Sequence, residues 1–204
     1  MRETVRKEPI LSIRARGQDA LARGDYAAAL RAFRVVADKY PQSARAQHDI
    51  GRVLMAMGDP LGAGEVYMVA HRRQPWVEQY TDSLAEALFQ ADRKDTLFEM
   101  LRSEAAQNGI ARDYRRLGTY ALRDGAMEEA IDALEQAARL SDKDDPSAYL
   151  ELAGVYQTLG RREDEVRELR HVMNIDPGQP EARARLRELD EIPGPSFAIE
   201  PGED

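Results

Sequence analysis

The sequence predicts an all-α chain of stacked helical hairpins. The first of three supporting observations is a phrase that returns about every 34 residues. Gly17-x6-Gly24-Asp25-Tyr26-x2-Ala29-Leu30-x2-Phe33-x7-Pro41 is followed by Gly51-x6-Gly58-Asp59-Pro60-x2-Ala63-x3-Tyr67-x7-Pro75. The phrase returns as Gly118-x6-Gly125-x4-Ala130-Ile131-x2-Leu134 and as Ala153-x6-Gly160-x8-Leu169-x7-Pro177. A fixed period of this length marks repeated supersecondary units that stack on their neighbours. Second, no stretch alternates apolar and polar residues over several positions, so strand signals are absent. Third, charged residues make up 32% and aromatics only 6%, which suits well-solvated helices.

Five repeats begin at Ile10, Ala44, Glu78, Ala111 and Pro146, spaced by 34, 34, 33 and 35 residues. They cover residues 10–43, 44–77, 78–110, 111–145 and 146–179, after an N-terminal arm at 1–9. Small residues at Gly17, Ala20 and Ala29 let two helices come close, as do Gly51 and Ala63, and Gly118, Ala121 and Ala130. A bulky residue fills the gap at one equivalent position in every repeat: Phe33, Tyr67, Leu101, Leu134 and Leu169. Gly24, Gly58, Gly125 and Gly160 stand where the first helix must stop in a left-handed cap. Asp25 and Asp59 follow as N-caps of the second helix, and Pro60 takes a first-turn position that needs no N–H. Pro41, Pro75 and Pro177 end the second helices.

The third repeat is degenerate. Asp92 replaces the turn glycine, Leu97 the small alanine and Gly109 the closing proline. Its apolar set, Leu84, Leu88, Leu97, Leu101 and Ala105, keeps helical spacing. Residues 180–191 read as a capping helix whose Ala182, Leu186 and Leu189 cover the fifth repeat. Residues 192–204, rich in proline, glycine and acids, read as a disordered acidic tail.

The phrase resembles the tetratricopeptide repeat (TPR), a 34-residue helix–turn–helix unit, over about residues 10–179. The resemblance implies a right-handed α-solenoid of about five hairpins plus a C-terminal capping helix. It also implies that one stripe of the first helices lines a concave groove where extended peptides bind.

At about 100° per residue, that stripe lies well over a right angle from the buried face of each first helix. It reads Leu11, Arg14, Gln18 and Leu21 in the first repeat, then Arg45, His48, Arg52 and Met55 in the second. The third gives Gln79, Asp82, Glu86 and Phe89, and the fourth Arg112, Arg115, Thr119 and Leu122. Ser147, Leu150, Gly154 and Gln157 complete it. Five arginines face two acids on this stripe, against a net charge of −8 for the chain. Guanidinium groups bind carboxylates in a bidentate fork, so the expected ligand is an acidic or C-terminal carboxylate peptide. Leu11, Met55, Phe89 and Leu122 would hold its apolar side chains. The alternative is an ion-pair ladder, with Asp82 and Glu86 set between the arginines. A third reading has the tail residues Phe197, Ile199, Glu200, Glu203 and Asp204 fold back or reach a neighbouring molecule.

Little else points to chemistry. His48, His71 and His171 fall in different repeats without the i, i+4 spacing of a helical zinc site, so no metal is expected. His71 and His171 are placed near the ends of second helices, where a cation meets the dipole. The glycine-rich run 58–64 lacks the Lys and Ser or Thr of a phosphate loop. Glu128-Glu129 and Glu163-Asp164-Glu165 fall in first helical turns. The serines lack a nucleophile-elbow pattern. Trp76, after Pro75, reads as a wedge between the second and third repeats.

The absence of cysteine excludes disulfides and thiolate chemistry. No apolar run is long enough to span a bilayer, and Met1 to Arg16 lacks an apolar signal core. A cytoplasmic location follows for a chain with this native start. The acidic balance argues against nucleic acid as a partner. The expectation is a non-catalytic adaptor or scaffold without cofactor, binding a protein or peptide. The alternative is a structural self-assembly module forming a homodimer. An enzyme ranks last, because the short segments outside the repeats, 1–9 and 180–204, form no second domain.

Overall fold

The structure, a computed structural model, describes residues 9–191. The tail at 192–204, and the arm apart from Pro9, lie outside the described residues. Eleven α-helices and no strand occur among the described residues. They are α1 (Ile10–Ala22), α2 (Tyr26–Lys39), α3 (Ala44–Ala56), α4 (Pro60–Arg73), α5 (Glu78–Gln90) and α6 (Lys94–Asn108). The series continues with α7 (Ala111–Asp124), α8 (Met127–Leu140), α9 (Ser147–Leu159), α10 (Arg162–Ile175) and α11 (Pro180–Glu188). The chain divides into two compact units, the first running to Leu97 and the second starting at Phe98. No described helix is long and apolar enough to cross a membrane.

The small-against-bulky pattern sets how closely each helix pair packs. A Cβ added to Gly17 would lie 2.7 Å from Cε1 of the fully buried Phe33. The same addition at Gly118 would lie 2.7 Å from Cγ of Leu134, and at Gly51 it would collide with the Tyr67 ring. A glycine at these places therefore lets one helix backbone rest directly on the partner's large side chain. The turns between paired helices repeat as well. Gly24, Gly58, Gly125 and Gly160 have φ of 76°, 77°, 81° and 69°. Asp92 holds the same left-handed turn at φ 55° without glycine, so the third repeat keeps its corner despite its sequence. Asp25 accepts a 2.9 Å bond from the Ala28 amide and Asp59 one of 2.9 Å from Gly62, which caps α2 and α4.

In the first unit, Phe33, Val36 and Ala37 of α2 share a core cluster with Ala46, Ile50 and Val53 of α3. In the second, Leu134, Ala137, Leu152, Tyr156, Leu169 and Val172 form the centre of a larger one. α11 joins that cluster through the buried Ala182 and Leu186, with Leu189 half-buried beside them. Its Arg185 forks onto Glu165, a carboxylate 3% exposed, with Nη2 at 3.3 Å from Oε2. Glu165 therefore acts as the anchor of α11 as well as a first-turn acid of α10. Arg187, exposed, stands 34 residues after Ala153, where earlier first helices carry Gly17, Gly51 and Gly118.

Two expectations are corrected. Trp76 is no wedge: it is 73% exposed in the α4–α5 connection, and its neighbour Val77 packs inward against Ala44, Ala70 and Tyr80 instead. His171 is not in the last turn of α10. It is buried, with its ring 5.0 Å from that of Tyr149. His71 does lie in the last turn of α4, with Nδ1 3.2 Å from Thr81 Oγ1. Gly51→Ala is expected to destabilise the chain by about 1–3 kcal/mol, through forced displacement of Tyr67. Urea unfolding of the variant should show a lowered midpoint with an unchanged slope.

Candidate functional site

Helix α3 supplies the centre of the site in the first unit. Ser43 caps it by accepting from the Ala46 amide at 3.2 Å, which starts the helix one residue later. The helical spacing then sets Arg45, His48, Asp49, Arg52 and Met55 along one side. Leu21 comes from α1, and Asp82, Ser83 and Glu86 from α5. An open cleft of about 680 Å³ is lined by Leu21, Arg52, Met55, Ala56, Tyr67, Asp82, Ser83, Glu86 and Gln90. Five of these, Leu21, Arg52, Met55, Asp82 and Glu86, come from the stripe read in three successive repeats. Gln18 and Arg45 are exposed on the same helices but outside the cleft lining, and Phe89 is half-buried.

His48 stands apart from the expectation of a groove-wall ligand. It is 4% exposed, with its ring 5.1 Å from that of Tyr67 and 4.9 Å from that of Tyr80. Its Nε2 lies 2.9 Å from Ser83 Oγ, so it ties α3 to α5 beneath the cleft. Burial pushes its pKa down to about 4, and the nearby Arg52, Arg14 and Arg45 push the same way while Asp49 opposes them. The imidazole is therefore neutral at pH 7. Tyr67, on the cleft floor, has its hydroxyl pushed up to about 12 by burial and stays a neutral hydrogen-bonding group.

Asp49, absent from the stripe, decides the charge of this face. It is 2% exposed and takes the guanidinium of Arg14, with Nη2 at 3.1 Å from Oδ1. Arg52 approaches the same carboxylate at 3.8 Å while keeping 44% of its side chain exposed. Arg45 makes no ion pair among the described residues. The basic surplus expected along the stripe is thus absent in the first unit, where Arg14, Arg45 and Arg52 are matched by Asp49, Asp82 and Glu86. Arg45 and Arg52 are the guanidinium groups that reach solvent here, since Arg14 is held by the buried carboxylate.

The second unit treats its arginines in a similar way. Arg115 lies 3.4 Å from Glu151 and 3.7 Å from Asp145, and Arg112 lies 3.7 Å from Asp113. Burial pushes the Glu151 carboxyl upward against the opposing pull of Arg115. Leu122 is half-buried and packs against the unit's core. A smaller cleft of about 260 Å³ takes in Leu150, Gly154 and Gln157 from α9 and Arg185 and Glu188 from α11. No group of three or more His, Asp or Glu positioned to hold a metal ion occurs among the described residues.

Comparison with known proteins agrees with this architecture. A family model described as the tetratricopeptide repeat matches residues 20–73, from the end of α1 through α4. The likeness to that family model is confined to the first two hairpins, and the later hairpins repeat the same helix–turn–helix plan. Among solved structures, MamA from Desulfovibrio magneticus is 21% identical, with 84% of this chain and 97% of that chain covered at a TM-score of 0.60. TTC0263, a thermophilic TPR protein of Thermus thermophilus, is 21% identical over 88% of this chain and 98% of that one, at a TM-score of 0.54. YrrB, described as a TPR protein with an unusual peptide-binding site, is 15% identical over 89% and 94%, at a TM-score of 0.56. At these identities the likeness establishes the TPR solenoid fold. Curated proteins compared by sequence give no match.

The buried His48 has a measurable consequence. An ordinary imidazole titrates at 6.5, and His48 at about 4 in the fold. Between those values the unfolded chain binds a proton that the folded chain does not. The stability that depends on the neutral ring is complete above about pH 6.5 and falls as pH drops toward about 4. The loss amounts to about 2–3 kcal/mol. Urea unfolding at pH 7, 5.5 and 4 should show this slope in the native chain and a shallower one in His48→Gln.

Proposed function

We propose that this chain is a non-catalytic adaptor that binds an extended peptide segment of a partner protein in the cleft of its first unit. The observation that carries the reading is the convergence of Leu21, Arg52, Met55, Asp82 and Glu86, from three repeats, on one open cleft of about 680 Å³. Leu21, Met55 and Ala56 offer apolar surface to a side chain of the segment. Arg45 and Arg52 bind a carboxylate placed beside it, whether an acidic side chain or a C-terminus, and a well-made bond of this kind contributes about 1.5–3 kcal/mol. Gln18, exposed beside the cleft, is at hand for the peptide backbone. In the second unit Arg112 and Arg115, with Leu122, offer the same recognition chemistry in paired form. The peptide-binding site named for YrrB supports the class of ligand. The chemistry needs no metal or cofactor and calls on neither nucleic acid nor membrane.

A random peptide library selected on the native chain should yield sequences with one acidic residue near a Leu, Met or Phe. Selection on Arg45→Glu/Arg52→Glu should lose the acidic residue, and Met55→Asp should lose the apolar one. Unchanged selections from both variants would remove this reading of the cleft. A second reading, a homodimer, rests on Trp76, whose 73% exposure leaves a large aromatic surface uncovered. Light scattering over rising concentration should show a mass increase that Trp76→Ser abolishes, and a constant monomer mass would exclude it.

A further inference from the structure

The outer side of the first hairpin carries a second recessed surface, remote in chemistry from the cleft above. A hollow of about 550 Å³ runs between α1 and α2. Ile13, Ala28, Ala32 and Val35 form its floor, and Val35 is 49% exposed. Arg16, Arg23, Arg31 and Asp19 form its rim. Arg23 and Arg31 are exposed and make no ion pair among the described residues.

Repeat register shows what shape this hollow fits. One repeat later, Ala46, Ile50 and Val53 of α3 cluster with Val66 of α4 and with Val36 and Ala37 of α2. The second hairpin thus seats a helix, α2, on that side. Thirty-four residues earlier the same positions are Ser12, Arg16, Asp19 and Ala32. On the first hairpin Ala32 keeps apolar character at the Val66 position, while Ser12, Arg16 and Asp19 replace the apolar wall of α3. Three arginines against one aspartate give this rim the opposite sign to the chain as a whole, which is −8.

We propose that the outer face of the α1–α2 hairpin docks an amphipathic helix of a partner protein. Acidic residues flank the apolar stripe of that helix. The stripe lies on Ile13, Ala28, Ala32 and Val35, the apolar floor of the hollow. The acidic flanks meet Arg23 and Arg31, while an oppositely charged helix is repelled by the same rim.

The probe is a pair of helical peptides with one Leu/Ala stripe, flanked in one by glutamate and in the other by lysine. Fluorescence anisotropy measures their binding to the full chain. The glutamate peptide should bind at least about tenfold more tightly than the lysine peptide, with the difference shrinking at raised salt. Arg23→Glu/Arg31→Glu should invert the preference, and Val35→Asp should weaken both peptides. Arg45→Glu/Arg52→Glu, which removes the cations of the cleft, should leave the preference for the glutamate peptide in place, which separates this face from the cleft of the first unit. Equal affinities for the two peptides, or a preference unmoved by Arg23→Glu/Arg31→Glu, would overturn the proposal. So would loss of that preference in Arg45→Glu/Arg52→Glu, which would assign the peptide to the cleft. A concentration-dependent mass lost in Val35→Asp would overturn it too, by making a second copy the occupant.

Discussion

In each hairpin built on the glycine pattern, one helix approaches the other so closely that its backbone touches a large side chain directly. Gly17 on Phe33, Gly51 on Tyr67 and Gly118 on Leu134 are the contacts that leave no room for a Cβ. They fix the separation and register of the paired helices, and with these the direction in which the remaining faces point. Loss of even one methyl's worth of clearance is felt in such an interior, because packing is dense and neighbours have nowhere to yield. The bulky partners are buried to 0–3% in every case, so each also fills the centre of its own pair.

Away from that face, the chemistry of the open cleft in the first unit depends on a few polar residues below it. His48 is held neutral between two tyrosine rings and bonded to Ser83, which makes the floor of the cleft polar but uncharged. Asp49 lies beside it, almost fully buried, and its charge requires the Arg14 guanidinium brought from the preceding hairpin. The pair joins α1 to α3 across 35 residues and removes one arginine from the surface inventory. What reaches solvent is a cleft with apolar, cationic and anionic walls.

The helices and turns were readable in the residues because they depend on local spacing. A small residue seven positions ahead of a turn, a glycine or aspartate at the turn, and a bulky residue beyond it are all sequence properties. Asp92 shows that the corner itself, more than the glycine, is the requirement. The site was less readable, because it depends on which of two adjacent residues turns inward. Asp49 stands between His48 and Ile50, both buried, and a charged residue in that setting signals a partner from another repeat. Its equivalent one repeat later is Ser83, so two polar residues recur at one inward position, a signal that points to the floor of the cleft. Trp76 and Val77 are likewise adjacent apolar residues, and only packing against Ala44, Ala70 and Tyr80 selects the valine.

Arg187 gives α11 a distinct role. Gly17, Gly51 and Gly118 let the helix that follows rest on the backbone, and α11 carries an exposed guanidinium at that point. A newcomer laid across α11 as α2 lies across α1 would have to strip that cation of water and find it a counter-ion. That cost sets this face of α11 apart from the opposite side, where Ala182 and Leu186 fasten the helix to the fifth repeat.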